Sequence, residues 1–169
     1  MIIDFEKLQG DVERLSGDQV ITFEDSFGKR SRANCHIDLT IERHGDAYHV
    51  EGQTAGSFTT SCHKCLEAVT FEVNPSFKLL IQRGGERWDD EETEDEYLYV
   101  PEGETEVSIE QQIYENVIVN IPIRIVCSEE CRGLCPTCGA NLNNSTCACK
   151  PAVDARWDAL RELKKRSSG

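Results

Sequence analysis

The clearest periodicity in the chain lies between Cys35 and Ile41. Cys35, Ile37, Leu39 and Ile41 alternate with His36, Asp38 and Thr40, and a period of two predicts a half-buried antiparallel strand. Shorter apolar runs precede it, Ile2, Ile3 and Phe5 first and then Val20, Ile21 and Phe23, and each predicts a strand. His44-Gly45-Asp46 has turn chemistry and Tyr48-His49-Val50 resumes the pattern, so this part reads as a hairpin. Gly52 and Gly56 predict a bulge or bend in the returning strand. Further on, Val69, Phe71 and Val73 alternate, Asn74-Pro75 turns the chain, and Phe77, Leu79 and Ile81 alternate again. Tyr97 to Pro101 predicts a last short strand.

The period then changes. Ile109, Ile113, Val117 and Ile121 recur at four-residue spacing, with Gln112, Glu115 and Asn116 on the other side. This predicts an amphipathic helix over about 108–120, opened by a capping box of Ser108 and Gln111 and ended by Pro122. Near the far end, Val153, Trp157, Leu160 and Leu163 can share a second helical face, with Trp157 as its anchor in a core.

Charge divides the chain unevenly. The net charge of −13 disfavours a broad basic surface for nucleic acid. Most of it lies between Glu86 and Glu106, where eleven acids meet one base, whereas six bases and three acids follow from Lys150. Residues 84–96 therefore read as a solvated acidic insertion. The opening MIIDFEKLQG has no basic n-region and no long apolar run, and no stretch is apolar enough to span a membrane. The expected setting is cytoplasmic and reducing.

In that setting nine cysteines point to metal rather than disulfides. Cys135-Pro136-Thr137-Cys138-Gly139 and Cys147-Ala148-Cys149 together offer four thiolates. Zinc favours four tetrahedral sulfur or nitrogen ligands. Pro136 pre-sets the turn, and Gly139 permits the positive φ that follows it. By elimination, Cys62 and Cys65 would share a second ion with Cys127 and Cys131. Cys131 and Cys135 could exchange roles, and His63 could serve as a donor. A reduced or redox-active pair at Cys62 and Cys65 is the competing reading. An ion bridging the two halves would close a loop of about sixty residues, a constraint of several kcal/mol in the chain-entropy view. Cys35, on the apolar face of its strand, reads as a small core residue.

The fold class is thus α+β: a mainly antiparallel β meander or partial barrel with one packed helix, then a cysteine-rich zinc knuckle and a short helix. The expected division is a β-rich body over 1–126 and a cysteine-rich segment with a basic C-terminal helix over 127–169. Catalysis finds little support. His36, His44, His49 and His63 fall in no catalytic spacing, no phosphate-binding glycine loop occurs, and ions bound by eight thiolates would keep no open position for water.

Two runs carry a resemblance: Cys62-His63-Lys64-Cys65-Leu66, and Cys131-Arg132-Gly133-Leu134-Cys135-Pro136-Thr137-Cys138-Gly139-Ala140-Asn141-Leu142-Asn143. With Cys147-Ala148-Cys149 and the closing Asp154-Ala155-Arg156-Trp157-Asp158-Ala159-Leu160, the chain resembles the bacterial YceD family, the large ribosomal RNA subunit accumulation proteins. The family usually has proline where Ala155 stands. The resemblance covers about residues 1 to 165 and implies a role in processing or accumulation of large-subunit ribosomal RNA, without catalytic residues. RNA contacts would then come from Lys64 and Arg132 beside the knuckles and from Lys150, Arg156, Arg161, Lys164, Lys165 and Arg166. Two other readings compete: a chaperone or holder that presents its acidic segment to a basic ribosomal protein, and a redox-sensitive zinc protein.

Overall fold

The computed structural model describes residues 1–85, 96–150, 155–157 and 163. Its contacts divide the chain into two compact units: Met1–Thr60 with Ala68–Ile125, and Ser61–Glu67 with Val126–Gly169. The short segment around Cys62 and Cys65 thus groups with the cysteine-rich end of the chain rather than with the strands that flank it in sequence.

The first unit is built on an open mixed sheet. Its strands are β2 (Val12–Glu24), β3 (Arg30–His44), β4 (Ala47–Ser61), β5 (Ala68–Val73), β6 (Ser76–Arg83) and β7 (Glu96–Val100). They run in the order β2-β3-β4-β6-β7, with β5 paired to β4 beside that path. A separate two-stranded sheet joins β1 (Ile2–Asp4) to β8 (Glu106–Ser108). The sheet does not close, so the barrel part of the expectation does not hold. Each strand of the β3–β4 hairpin is fifteen residues long, and the hairpin turns at Gly45, whose φ is +65°.

Alternation places Ile37, Leu39 and Ile41 of β3 and Val50 of β4 on one buried face with Leu79 and Ile81 of β6. The helix α1 (Glu110–Val119) adds Ile113 and Val117 to that cluster, with Ile109 just before it, and all three are fully buried. Each such aliphatic side chain contributes about 1.5–3 kcal/mol of transfer free energy. The Asn116 side-chain amide, donating to the Ser76 carbonyl at 3.2 Å, fixes the helix beside the start of β6.

Several local expectations change. Gly52 and Gly56 form no bulge; both lie in unbroken register, Gly52 opposite Leu39 and Phe77, Gly56 opposite Cys35. A Cβ on Gly52 would fall within the Phe77 ring, and one on Gly56 would crowd the Cys35 sulfur. The glycines are there for close approach. The capping box does not form, because Ser108 is held in β8 opposite Ile2, and Ile109 occupies the N-cap without a side-chain bond. β7 lies parallel to β6. Parallel neighbours need a connection of about a dozen residues or more, and the stretch between them has that length. β2 starts eight residues before Val20, its polar first half held by pairing to β3 from Val12 opposite Glu42 onward.

Toward the C-terminus, Ala155–Trp157 form a single 3-10 turn. Trp157 is 56% exposed and Leu163 59% exposed, so neither serves as a core anchor. The rest of the expected C-terminal helix and the acidic residues 86–95 lie outside the described residues. Among the described residues no helix is long and apolar enough to cross a membrane.

Candidate metal centre

In the second unit, every buried described residue except Gly133 is a cysteine: Cys62, Cys65, Cys131 and Cys135. Among the described residues, hydrocarbon packing therefore does not explain why the unit is compact. Its cysteines fall into two groups, Cys62 with Cys65, Cys127 and Cys131, and Cys135 with Cys138, Cys147 and Cys149. Within each group the four sulfurs lie within 4.8 Å of one another.

Two distances in the first group test its fit to an ion. Cys62 Sγ and Cys131 Sγ are 3.8 Å apart, and Cys65 Sγ and Cys127 Sγ are 3.6 Å apart. Disulfide bonds are close to 2.05 Å, so these are separate thiols. With Zn–S bonds of about 2.3 Å, the edge of a regular tetrahedron is about 3.8 Å. The sulfurs thus stand where a tetrahedral divalent ion would need them. His63 belongs to neither group, and Cys131 keeps to the first while Cys135 keeps to the second.

The turns that set these positions follow from their sequence. After Cys62, the Leu66 amide donates to the Cys62 carbonyl at 2.9 Å and the Cys62 amide to the Glu67 carbonyl at 2.8 Å, with Leu66 at a φ of +63°. Cys135-Pro136-Thr137-Cys138-Gly139 closes alike: the Gly139 amide reaches the Cys135 carbonyl at 2.9 Å, with Gly139 at +72°. Gly133 is needed for a different reason. Its φ is +74°, and a Cβ there would sit 3.0 Å from the Lys64 carbonyl oxygen. That carbonyl accepts the Leu134 amide at 3.1 Å, which stitches the two knuckles of the first group together.

Backbone amides point at the sulfurs. The Lys64 and Cys127 amides each donate to Cys62 Sγ at 3.4 Å. Burial pushes the Cys62 thiol up, but the amides of Cys65, Cys127 and Lys64 outweigh it and bring it down to about 6. Amides of Cys138 and Thr137 likewise bring Cys135 down to about 6. In contrast, hydrogen bonds with Cys131 and Cys65 hold Cys127 protonated and push it up to about 12. The Cys138 thiol does the same to Cys149, also about 12. Each group thus favours one thiolate and resists another, the response of crowded like charges that a central cation would offset.

Two residues without a role in the sequence reading tie the groups to each other. Asn143 donates from Nδ2 to Cys131 Sγ at 3.4 Å, and its Oδ1 accepts the Arg132 amide at 2.8 Å. Asn141 Oδ1 accepts from both the backbone and the side chain of Asn143, at 3.0 and 2.9 Å. Both asparagines lie between Cys138 and Cys147, so the loop of the second group braces a sulfur of the first. The resembling run ends in Asn141-Leu142-Asn143, a signal of where to look that carried no geometry.

Of the expected RNA-contacting side chains, Lys64 is half-buried, with Nζ 3.4 Å from the Glu129 carbonyl. Arg132, Lys150 and Arg156 are exposed. Arg161, Lys164, Lys165 and Arg166 lie outside the described residues.

Comparison with known proteins places this arrangement. The family described as large ribosomal RNA subunit accumulation protein YceD matches residues 50–164, a span that contains all eight grouped cysteines. A maize protein described as large ribosomal RNA subunit accumulation protein YCED homolog 1, chloroplastic, is 27% identical over 153 residues, covering 75% of this chain and 52% of its own. Its Arabidopsis thaliana counterpart is 24% identical over 155 residues, covering 77% and 48%. An uncharacterized protein of Mycobacterium tuberculosis is 31% identical over 127 residues, covering 75% and 60%. The chain therefore spans about half to three fifths of the length of these relatives. No solved structure matches it.

Proposed function

Because this chain belongs to the YceD family, we propose that it supports the processing or accumulation of large-subunit ribosomal RNA. It does so as a non-enzymatic binding factor held in shape by two zinc ions. The observation that carries the metal half is the gathering of eight sulfurs into two sets of four, in a unit whose buried side chains, among the described residues, are all cysteines. All-thiolate tetrahedral sets suit zinc among the common divalent ions. Cys62, Cys65, Cys127 and Cys131 would hold one ion; Cys135, Cys138, Cys147 and Cys149 the other. The ions would supply structure, not chemistry, since each set of four thiolates completes a tetrahedral shell.

The RNA half rests on the family's name and on the basic residues of the second unit, Arg132, Lys150 and Arg156 among the described ones. The partner is the large-subunit ribosomal RNA or its precursor particle, met in the cytoplasm; the plant relatives are named as chloroplastic. Native mass spectrometry of protein purified without chelator should give the chain plus two zinc ions. In-cell crosslinking should recover large-subunit ribosomal RNA, and depletion should lower that RNA relative to the small-subunit species. A metal-free, fully ordered protein, or crosslinks to no ribosomal RNA, would refute the reading. The run of eleven acids between Glu86 and Glu106 favours a second reading, a holder for a basic ribosomal protein. It predicts capture of such a protein that is lost when those acids are neutralised.

A further inference from the structure

The first unit carries its cations unevenly. Lys7 and Lys78 are paired with Asp4 and Glu51 at 2.8 and 3.0 Å. Arg43 and Arg83 lie over the Tyr48 and Phe5 rings and donate to carbonyls. Lys29, Arg30 and Arg32 differ. All three are exposed, all three fall within four residues, and none has a carboxylate within ion-pair distance among the described residues. Glu24 stands opposite Arg30 in register, yet no ion pair links them. In a chain of net charge −13 such a cluster is a local reversal of sign.

The backbone under the cluster is pinned. It sits at the end of the β2–β3 hairpin, Lys29 in the turn and Arg30 and Arg32 at the start of β3, and Asp25 organises that turn. Its Oδ1 accepts the Phe27 and Lys29 amides, both at 3.0 Å. Its Oδ2 accepts the buried hydroxyls of Ser31 at 3.3 Å and Thr60 at 3.0 Å. The Asp25 amide donates to the Lys29 carbonyl at 2.9 Å, and Gly28 turns the chain at a φ of +71°. Thirty-five residues separate Thr60 from Asp25, so the turn is anchored to the sheet as well as to itself. A preorganised surface loses less entropy on binding than a frayed loop does.

We propose that this hairpin tip is an RNA contact of the YceD-family chain, with Lys29, Arg30 and Arg32 bound to the phosphates of a single strand. The proposal rests on the RNA reading given above and adds a surface in the other unit. Arg30 and Arg32 are two apart on one strand, so they leave the same face of the sheet about 6.6 Å from each other at the usual rise. That spacing suits neighbouring phosphates of one strand, and the guanidinium fork fits phosphate oxygens in pairs.

The test uses the zinc-loaded full chain and a fluorescein-labelled single-stranded oligouridylate, with anisotropy read across a salt series. Neutralising all three cations (K29Q, R30Q, R32Q) removes three phosphate contacts. It should weaken binding roughly a hundredfold near 0.1 M salt and make the log–log salt slope shallower by about 2. R30K with R32K keeps the charge and should keep the slope. Circular dichroism melts matching the wild type establish that the triple variant is folded. Wild-type affinity and slope in the triple variant overturn the proposal. So do hairpin crosslinks that run to an acidic protein segment. Wild-type protein that binds neither the oligouridylate nor ribosomal RNA refutes the RNA reading itself, a result separable from failure at the hairpin.

Discussion

In the first unit, Ile3, Ile37, Ile81, Ile109, Ile113 and Val117 are wholly removed from water. In the second, the buried side chains of the described residues belong to cysteines alone. One unit draws its cohesion from expelled hydrocarbon, which every condition that keeps the chain in water supplies. The other buries no side chain but cysteine among its described residues, and its sulfurs gather in two groups of four. Below roughly 40 residues a chain usually needs a staple of some kind, and the cysteine-rich unit is only slightly longer than that. The contrast teaches that two parts of one chain can be folded by different chemistry and can therefore fail separately.

The largest effect expected is that failure. Structural zinc contributes on the order of 10–16 kcal/mol of apparent binding energy in small zinc peptides, more than a domain's whole stability. Chelation should therefore abolish amide-exchange protection in 61–67 and 126–149 while β3, β4 and α1 stay protected. Retained protection in the cysteine-rich unit after chelation would break the contrast. The converse variant, Ile113→Ala, should destabilise the first unit by about 2–5 kcal/mol in a denaturant melt and leave the zinc count unchanged. Asn143→Ala removes a donor to Cys131 Sγ, and outer-shell partners of this kind typically matter 10–100-fold in metal affinity. Competition with a zinc indicator should show that loss in the first cysteine group, whose ligands do not include Asn143.

The smallest effect is a surface one. The Asp18 carboxylate, 2.7 Å from His36 Nδ1, raises the imidazole above its ordinary 6.5, with Asp38 adding to it. A raised folded value means the pair stabilises fully below the unfolded pKa and loses its contribution as pH rises through the folded one. NMR titration should place the His36 midpoint above 6.5, and Asp18→Asn should bring it down without altering metal content.

How much of this could be read from the sequence follows from what each signal encodes. β3 and α1 were legible because burial imposes periods of two and of about four on Cys35 to Ile41 and on Ile109 to Val117. The first half of β2 was not, because its stability comes from β3 and leaves no apolar mark on Val12 to Gln19. Ser108 shows local chemistry losing to pairing: a good cap residue was taken by β8. Gly52 reads as a breaker until Phe77 is known to lie against it. The cysteine pairs were legible because short loops force neighbouring thiols together, whereas the union of Cys62 and Cys65 with Cys127 and Cys131 followed only by elimination. Asn141 and Asn143 were not, since an asparagine carries no sequence mark of which sulfur it will face.

The order of the cysteines also has a consequence for synthesis. Cys65 precedes its neighbour Cys127 by 62 positions, whereas Cys135, Cys138, Cys147 and Cys149 leave the ribosome almost together. At about 5–20 residues per second, the early pair waits roughly 3–12 seconds for its partners. During that interval the newborn chain holds two thiols with half of their site still untranslated. The last group can close as soon as it is made, whereas the first spans a long stretch of the synthesis and is complete only at Cys131, just before the last group begins.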